Sequence, residues 1–182
     1  MADVTAVGIS ELYYGPVITV STNLDGTTAH IAALKAAMTQ VKNVHQDTWS
    51  LEEAEPTQDS YRNQLTQNVY RMGTKQMGDV TINFTIGSYD YDLKAALLGG
   101  EVIEDSTNHT IGWHRAKGST DVKKAFLAVT EDHQVVVFPK CNVMASETAS
   151  DGAISIRMSA TVLEPEQTGV YPEYWFDATP TL

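Results

Sequence analysis

The chain has 182 residues, 42% of them hydrophobic, which suffices for one domain with a substantial core and requires no second. Its formal net charge of −11 creates a field that repels nucleic acid and anionic membranes, which argues against binding phosphate backbones through a basic patch. The single Cys141 cannot form an internal disulfide, and Met1-Ala2-Asp3 begins neither a basic segment nor an apolar run. The expectation is a chain without secretory signal or spanning helix, folding in a reducing, aqueous compartment.

In chain order, residues 4–20 place Val7, Ile9, Val17, Ile18 and Val20 around Tyr13-Tyr14-Gly15-Pro16, which predicts two short strands with a turn or kink at Gly-Pro. After a loop at 23–28, Thr28 is positioned to cap an Ala-rich helix from Ala29 to Met38, with Ile31, Leu34 and Met38 on one stripe. Val41–Val44 and the alternating Thr48-Trp49-Ser50-Leu51 predict a strand ending at Pro56. From 56 to 78 the residues are mostly polar, with Tyr61, Leu65 and Val69 thinly spread, so a long loop or hairpin is expected.

The stretch 79–100 changes period in its middle. Val80, Ile82, Phe84 and Ile86 fall on one face of an extended chain, with Thr81, Asn83 and Thr85 on the other. After Gly87 a helix follows, capped by Ser88 or Asp90, striped by Leu93 and Leu97 and ended by Gly99. Residues 101–118 read as a polar connection. Ala125–Thr130 and Val135–Phe138, joined by a turn at 131–134, form a hairpin followed by Pro139 and Cys141–Met144. Asp151-Gly152 marks a turn before Ile154, Ile156, Met158, Ala160 and Val162, which alternate with Ser155, Arg157, Ser159 and Thr161. A cluster of four aromatics, Tyr171, Tyr174, Trp175 and Phe176, closes the chain.

Chemistry-bearing patterns are missing: there is no Gly-rich phosphate loop, nucleophile elbow, paired Cys or HExxH. His30, His45, His109, His114 and His133 are scattered, without converging zinc ligands. Glu52, Glu53, Glu55 and Asp59 lack the ligand alternation and central Gly of a calcium loop and read as a solvated or interface patch. Cys141 reads as a small hydrophobe within a strand. The expectation is therefore a non-enzyme, with no catalytic residue, metal or cofactor.

One order of features resembles a known family: Thr48-Trp-Ser-Leu-Glu-Glu-Ala-Glu-Pro-Thr57, a long polar loop, a strand passing into Tyr89-Asp-Tyr-Asp-Leu-Lys-Ala-Ala-Leu-Leu-Gly-Gly100, then a late hairpin and an alternating strand. It is similar to the major tail tube proteins of long-tailed bacteriophages and prophages over most of residues 5–165, departing from them in the Ala-rich 29–38 stretch and the aromatic tail. The resemblance implies a mainly β single domain over 1–182, a β-sandwich or barrel-like body with one short flanking α-helix. Residues 56–78 are its long loop or hairpin and 165–182 its aromatic C-terminal arm. It further implies six-membered rings whose inner sheets join into a barrel and which stack into a tube, a plan shared with type VI secretion tubes. The implied partners are further copies of the chain and other tail proteins. DNA passes through the lumen without specific binding, no membrane is involved, and the place is the virion tail, assembled in the bacterial host cytoplasm.

Within that plan Thr81, Asn83, Thr85, Ser155, Arg157, Ser159 and Thr161 are candidates for the pore face, because they are small and polar at a strand period; Arg157 is the charged exception. Tyr61, Leu65 and Val69 of the long loop, with Tyr171, Tyr174, Trp175 and Phe176 of the arm, are candidates for subunit contacts. Two alternatives stay open: another tube-like part, such as a tail terminator or secretion tube, and a carbohydrate- or peptide-binding β-sandwich using Trp113 and Trp175 beside acids.

Overall fold

Period-two runs of β-branched and aromatic residues become strands in the computed structural model, which describes residues 6–22, 24–150 and 152–178. The elements are β1 (Glu11–Gly15), α1 (Thr28–Ala37), β2 (Thr39–Gln40), β3 (Ser50–Glu53), β4 (Ser60–Arg62), β5 (Val69–Met72), β6 (Val80–Ile86), α2 (Tyr91–Leu98), β7 (Glu101–Glu104), β8 (Thr110–His114), β9 (Val122–Val129), β10 (Gln134–Ser150), β11 (Ala153–Val162) and β12 (Tyr174–Asp177). The fold is mainly β. One antiparallel sheet runs β2-β1-β9-β10-β11-β6-β3, with β12 added beside β10, while β4–β5 and β7–β8 are separate hairpins. The two layers of a sandwich are thus parts of a single curled sheet.

That curl buries one face against itself. Ile82, Phe84 and Ile86 of β6 and Ile156, Met158 and Ala160 of β11 share a core with Leu12, Phe126 and Phe138 from the other end of the sheet. Phe84 meets Phe126 edge-on at 6.1 Å between ring centroids, which only a curled sheet allows. A second cluster lies on the outer face, where α1 brings Ile31 and Leu34 onto Leu127, Val129, Val135 and Val137. α1 is the helix expected over the Ala-rich run, a second one beside the single flanking helix that the resemblance implies. Its cap is Thr27, one residue before the expected Thr28, whose hydroxyl accepts from the His30 amide at 3.4 Å. α2 matches its sequence signals closely: Asp90 accepts from the Leu93 amide at 2.8 Å, and Gly99 ends it at φ 73°.

Three segments differ from expectation. Residues 4–20, whose start lies outside the described residues, form one strand and not two. Pro16 offers no amide after β1, β2 takes the neighbouring edge, and Ile18 donates instead to the Pro139 carbonyl at 3.0 Å. The polar connection at 101–118 is the hairpin β7–β8. Asp105 organises its turn by accepting from the Thr107 and His109 amides at 2.8 and 3.0 Å. Finally, β10 does not stop at Pro139: its pairing with β9 shifts between Phe138 and Cys141, so a bulge absorbs the proline. Of the turn expected at Asp151-Gly152, Asp151 lies outside the described residues; Gly152 has φ 79°.

Two further contacts hold the body. Residues 39–45 change partner: Val41 donates to the Leu12 carbonyl of β1 at 2.8 Å, and His45 donates to the Thr85 carbonyl of β6 at 2.8 Å. This strap joins the two ends of the sheet into a barrel-like closure. On the far arm of β10, Glu147 receives Lys94 of α2 at 2.6 Å and Arg115 at 2.9 Å. Trp113 of β8 lies under both cations, at 4.4 and 5.4 Å from its ring centroid. Helix, small hairpin and long strand are thereby clamped together.

Replacing Phe84, 1% exposed, with Ala is expected to lower unfolding free energy by about 3–5 kcal/mol in denaturant titration. Lys94 and then Arg115 hold the Glu147 carboxyl below its ordinary value of 4.5. A depressed folded-state value contributes stability that is present above that ordinary value and is lost as pH falls through the folded one. Glu147→Gln should therefore lower the melting temperature at pH 7 and flatten its decline below about pH 4.5.

Candidate functional site

Register places six of the seven polar candidates side by side. Arg157 pairs with Thr85, Ser159 with Asn83 and Thr161 with Thr81, so each pair is directly opposed on the outer face of β11 and β6. Arg157 is exposed and the other five are half-buried. Ser155 is the exception: it is 0% exposed, with its hydroxyl 3.4 Å from His45 Nε2. The strap that closes the sheet carries His45 over it, so Ser155 is not a surface residue.

The face is wider than the sequence alone indicated. β3 adds Ser50 opposite Asn83 and Glu52 opposite Thr81. β10 adds Asn142, Met144 and Ser146 opposite Thr161, Ser159 and Arg157, and β9 adds Lys123 opposite Asn142. The result is a mainly polar band across five strands, with Met144 as its exposed apolar member and Arg157, Lys123 and Glu52 as its charges, ending at the outer strand β3. The missed residues of β10 follow from the bulge at Pro139, which reverses inside and outside along the strand; a proline within an apolar run is the signal that could have located them. Within the band Arg157 and Lys123 stand against Glu52, so the acidity of the chain resides elsewhere.

The segment 56–78 is a hairpin, β4–β5, extended by pairing of Thr57 with Gln76. Its tip is ordered by Asn63, whose side-chain oxygen accepts from the Leu65 amide at 2.8 Å. Tyr61, Leu65 and Val69 are 45, 92 and 44% exposed, and Tyr70 and Met72 also face solvent. The hairpin hides none of its strand side chains against the body.

The aromatic arm behaves differently. β12 pairs with Gln134–Val137, and Tyr174 and Phe176 pack into the outer cluster beneath α1. The rings of Tyr174 and Phe176 stack at 5.9 Å, and Tyr171 lies edge-on to Tyr174 at 6.1 Å. Two of the four aromatics are thus committed within the subunit, while Tyr171 and Trp175 remain 66 and 44% exposed. Residues 179–182 of the arm lie outside the described residues. Trp113 is no open platform either: besides its two cations, its indole N–H donates to the Gly99 carbonyl at 3.0 Å.

Among the described residues no three His, Cys, Asp or Glu side chains converge on a metal position. Burial pushes the Cys141 thiol up to about 12, which keeps it protonated and unreactive. No protein-family model matches the sequence, and no curated protein matches it either.

A thiol reagent should accordingly leave native Cys141 unmodified until the protein unfolds, while Ser159→Cys should react at once in the free subunit. Absorbance of released reagent in native and denatured samples distinguishes the two sites.

Proposed function

We propose that this protein is a structural subunit of a bacteriophage or prophage tail tube, assembling into stacked, six-membered rings through which DNA passes. The reading rests on one observation above all: a polar band five strands wide, backed by an apolar core and ending at β3, an edge strand whose outer side pairs with no strand among the described residues. Such a face needs water on it and no helix over it. An outer strand with free amides and carbonyls is an aggregation hazard unless another copy continues the sheet, and a closed ring removes it. The motif resemblance around Thr48–Thr57 and Tyr89–Gly100 supplies the tube as the specific form of that assembly.

The chemistry of the band suits passage of DNA. Retention on a phosphate backbone scales with the number of cations that displace counterions, and hydroxyls and amides displace none. Arg157 and Lys123 on the band, offset by Glu52, give each subunit little hold on the strand. Weak retention thus follows from the few cations on this face and not from a concentration of acidic residues there. The exposed hairpin and the outward Tyr171 and Trp175 provide apolar surface for contact between subunits.

Electron microscopy of the concentrated, purified protein, alone and with a tail-initiating extract, should show rings or tubes. In those assemblies Ser159→Cys or Thr85→Cys should be shielded from a bulky thiol reagent applied outside, relative to free subunits. Labelling at the free-subunit rate would remove the band from the lumen, and a strictly monomeric protein under both conditions would remove the tube.

A further inference from the structure

Between α2 and β9 the chain leaves the body and returns to it at one place. Gly99 and Gly100 begin the excursion at φ 73° and 91°, and a Cβ on Gly99 would lie 2.8 Å from the side chain of Thr120, so entry and exit touch. Near the exit, a Cβ on Gly118 would meet nothing within 4 Å. Glycine at both ends gives the backbone the freedom of a hinge. Residues 101–117 between them carry the hairpin β7–β8. Among the described residues it shares no strand pairing with the large sheet, and none of its side chains belongs to either apolar cluster. Ile103 and Ile111 are 43 and 56% exposed, so burial does little to hold it down.

Charge holds it instead. The ring of Trp113 has Lys94 and Arg115 at 4.4 and 5.4 Å from its centroid, and both cations end on the carboxylate of Glu147, at 2.6 and 2.9 Å. Thr110 adds a bond of 3.3 Å to Asp92, while the indole bond of Trp113 to Gly99 sits at the hinge and resists no swing. From β11, uncharged Ile156 stands opposite Glu147, and Arg157 points to the other face with Ser146 and Thr85. Lys94 and Arg115 are thus the charges that face this carboxylate. The ionisable groups Glu101, His114 and Asp105 make their bonds within the hairpin itself. Without a charge on Glu147 the clamp inverts: two cations share one ring with no counterion, and Lys94 is only 13% exposed.

We propose that residues 101–117 form an acid-released flap: Glu147 latches it to α2 and β10, and protonation of that carboxylate lets it swing out on Gly99, Gly100 and Gly118 while the sheet stays folded. Val102 lies opposite Trp113 on the same face of the hairpin, so opening uncovers both, together with the side of α2 that carries Lys94. Linkage sets the direction of the response. In the closed state Lys94 and then Arg115 keep the Glu147 carboxyl below its ordinary value of 4.5. Closure is therefore favoured above that ordinary value and is lost as pH falls through the closed-state one.

The test uses full-length protein with spin labels on Ser106→Cys, at the hairpin turn, and Ser146→Cys, on β10; both positions are exposed, and buried Cys141 takes no label. A second pair, Ala36→Cys on α1 with Ser146→Cys, reports on the body. Dipolar spectroscopy at pH 7 should give one narrow distance for each pair. Below about pH 4.5 the hairpin pair should shift to a longer, broader distribution while the body pair holds. Glu147→Gln should show that shift already at pH 7, and acid should add nothing to it. A hairpin pair that stays narrow in acid, or in Glu147→Gln at pH 7, would overturn the latch. Both pairs broadening together in acid would overturn the flap, because the subunit then opens as one unit. If Glu147→Gln broadens the body pair at pH 7, Arg115→Gln decides, since that side chain is 56% exposed. Its hairpin pair should lengthen in part at pH 7 with the body pair unchanged, and a distance equal to the parent's would overturn the latch.

Discussion

The bulge in β10 governs the rest of the architecture. Proline cannot donate to a sheet ladder, and a strand of this length must place Pro139 where no donor is required. The extra residue between Phe138 and Cys141 does so, and it also reverses which side chains face inward. Before the bulge, Val135 and Val137 point outward and need cover; after it, Asn142, Met144 and Ser146 point outward. One strand therefore serves an apolar outer zone and a polar one. The neighbours divide at the same point, with β12 beside the first half and β11 beside the second.

This division explains why α1 and the aromatic arm lie where they do. Tyr174 and Phe176 cannot remain in water beside a bare Val135–Val137 edge, so they add β12 and seal it with Ile31 and Leu34 of α1. The polar half needs no such cover, and Thr81, Asn83 and Ser159 stay partly exposed. The inner face is completed differently. Residues 39–45 hydrogen-bond β1 with one end and β6 with the other, which brings Phe84 against Phe126; the same strap separately lays His45 beside Ser155. A sheet open on two edges becomes a barrel-like body joined by this strap.

The exposed hairpin is the part of the molecule least explained by the subunit alone. Its backbone bonds are satisfied locally through Asn63 and the β4–β5 ladder, but its apolar side chains gain nothing from the fold. The band, the edge strand β3 and the hairpin are the features that the proposed assembly would use, whereas the Lys94–Glu147–Arg115 clamp and the Phe84 core are features of the subunit itself.

Local pattern was enough to place α2 with its Asp90 and Gly99 caps, the alternating strands at 80–86 and 153–162, the hairpin after Ala125 and the polar excursion at 56–78. Each is decided by neighbours within a few residues: side-chain period, a capping oxygen, a glycine at positive φ. Pairing of Arg157, Ser159 and Thr161 with Thr85, Asn83 and Thr81 on one face was implicit in the two matching alternations. What sequence could not decide were properties of distant contacts. Ser155 has the period of a surface residue and is buried because a strap more than a hundred positions away lies over it. Val17–Val20 has strand composition and stays out of the sheet because β2 holds the edge beside β1. The arm's aromatics looked alike in sequence, and only the place left beside β10 puts Tyr174 and Phe176 beneath α1 and Trp175 opposite Val136 on the other face, with Tyr171 left in solvent. Period tells which residues share a face; burial depends on what the rest of the chain lays across it.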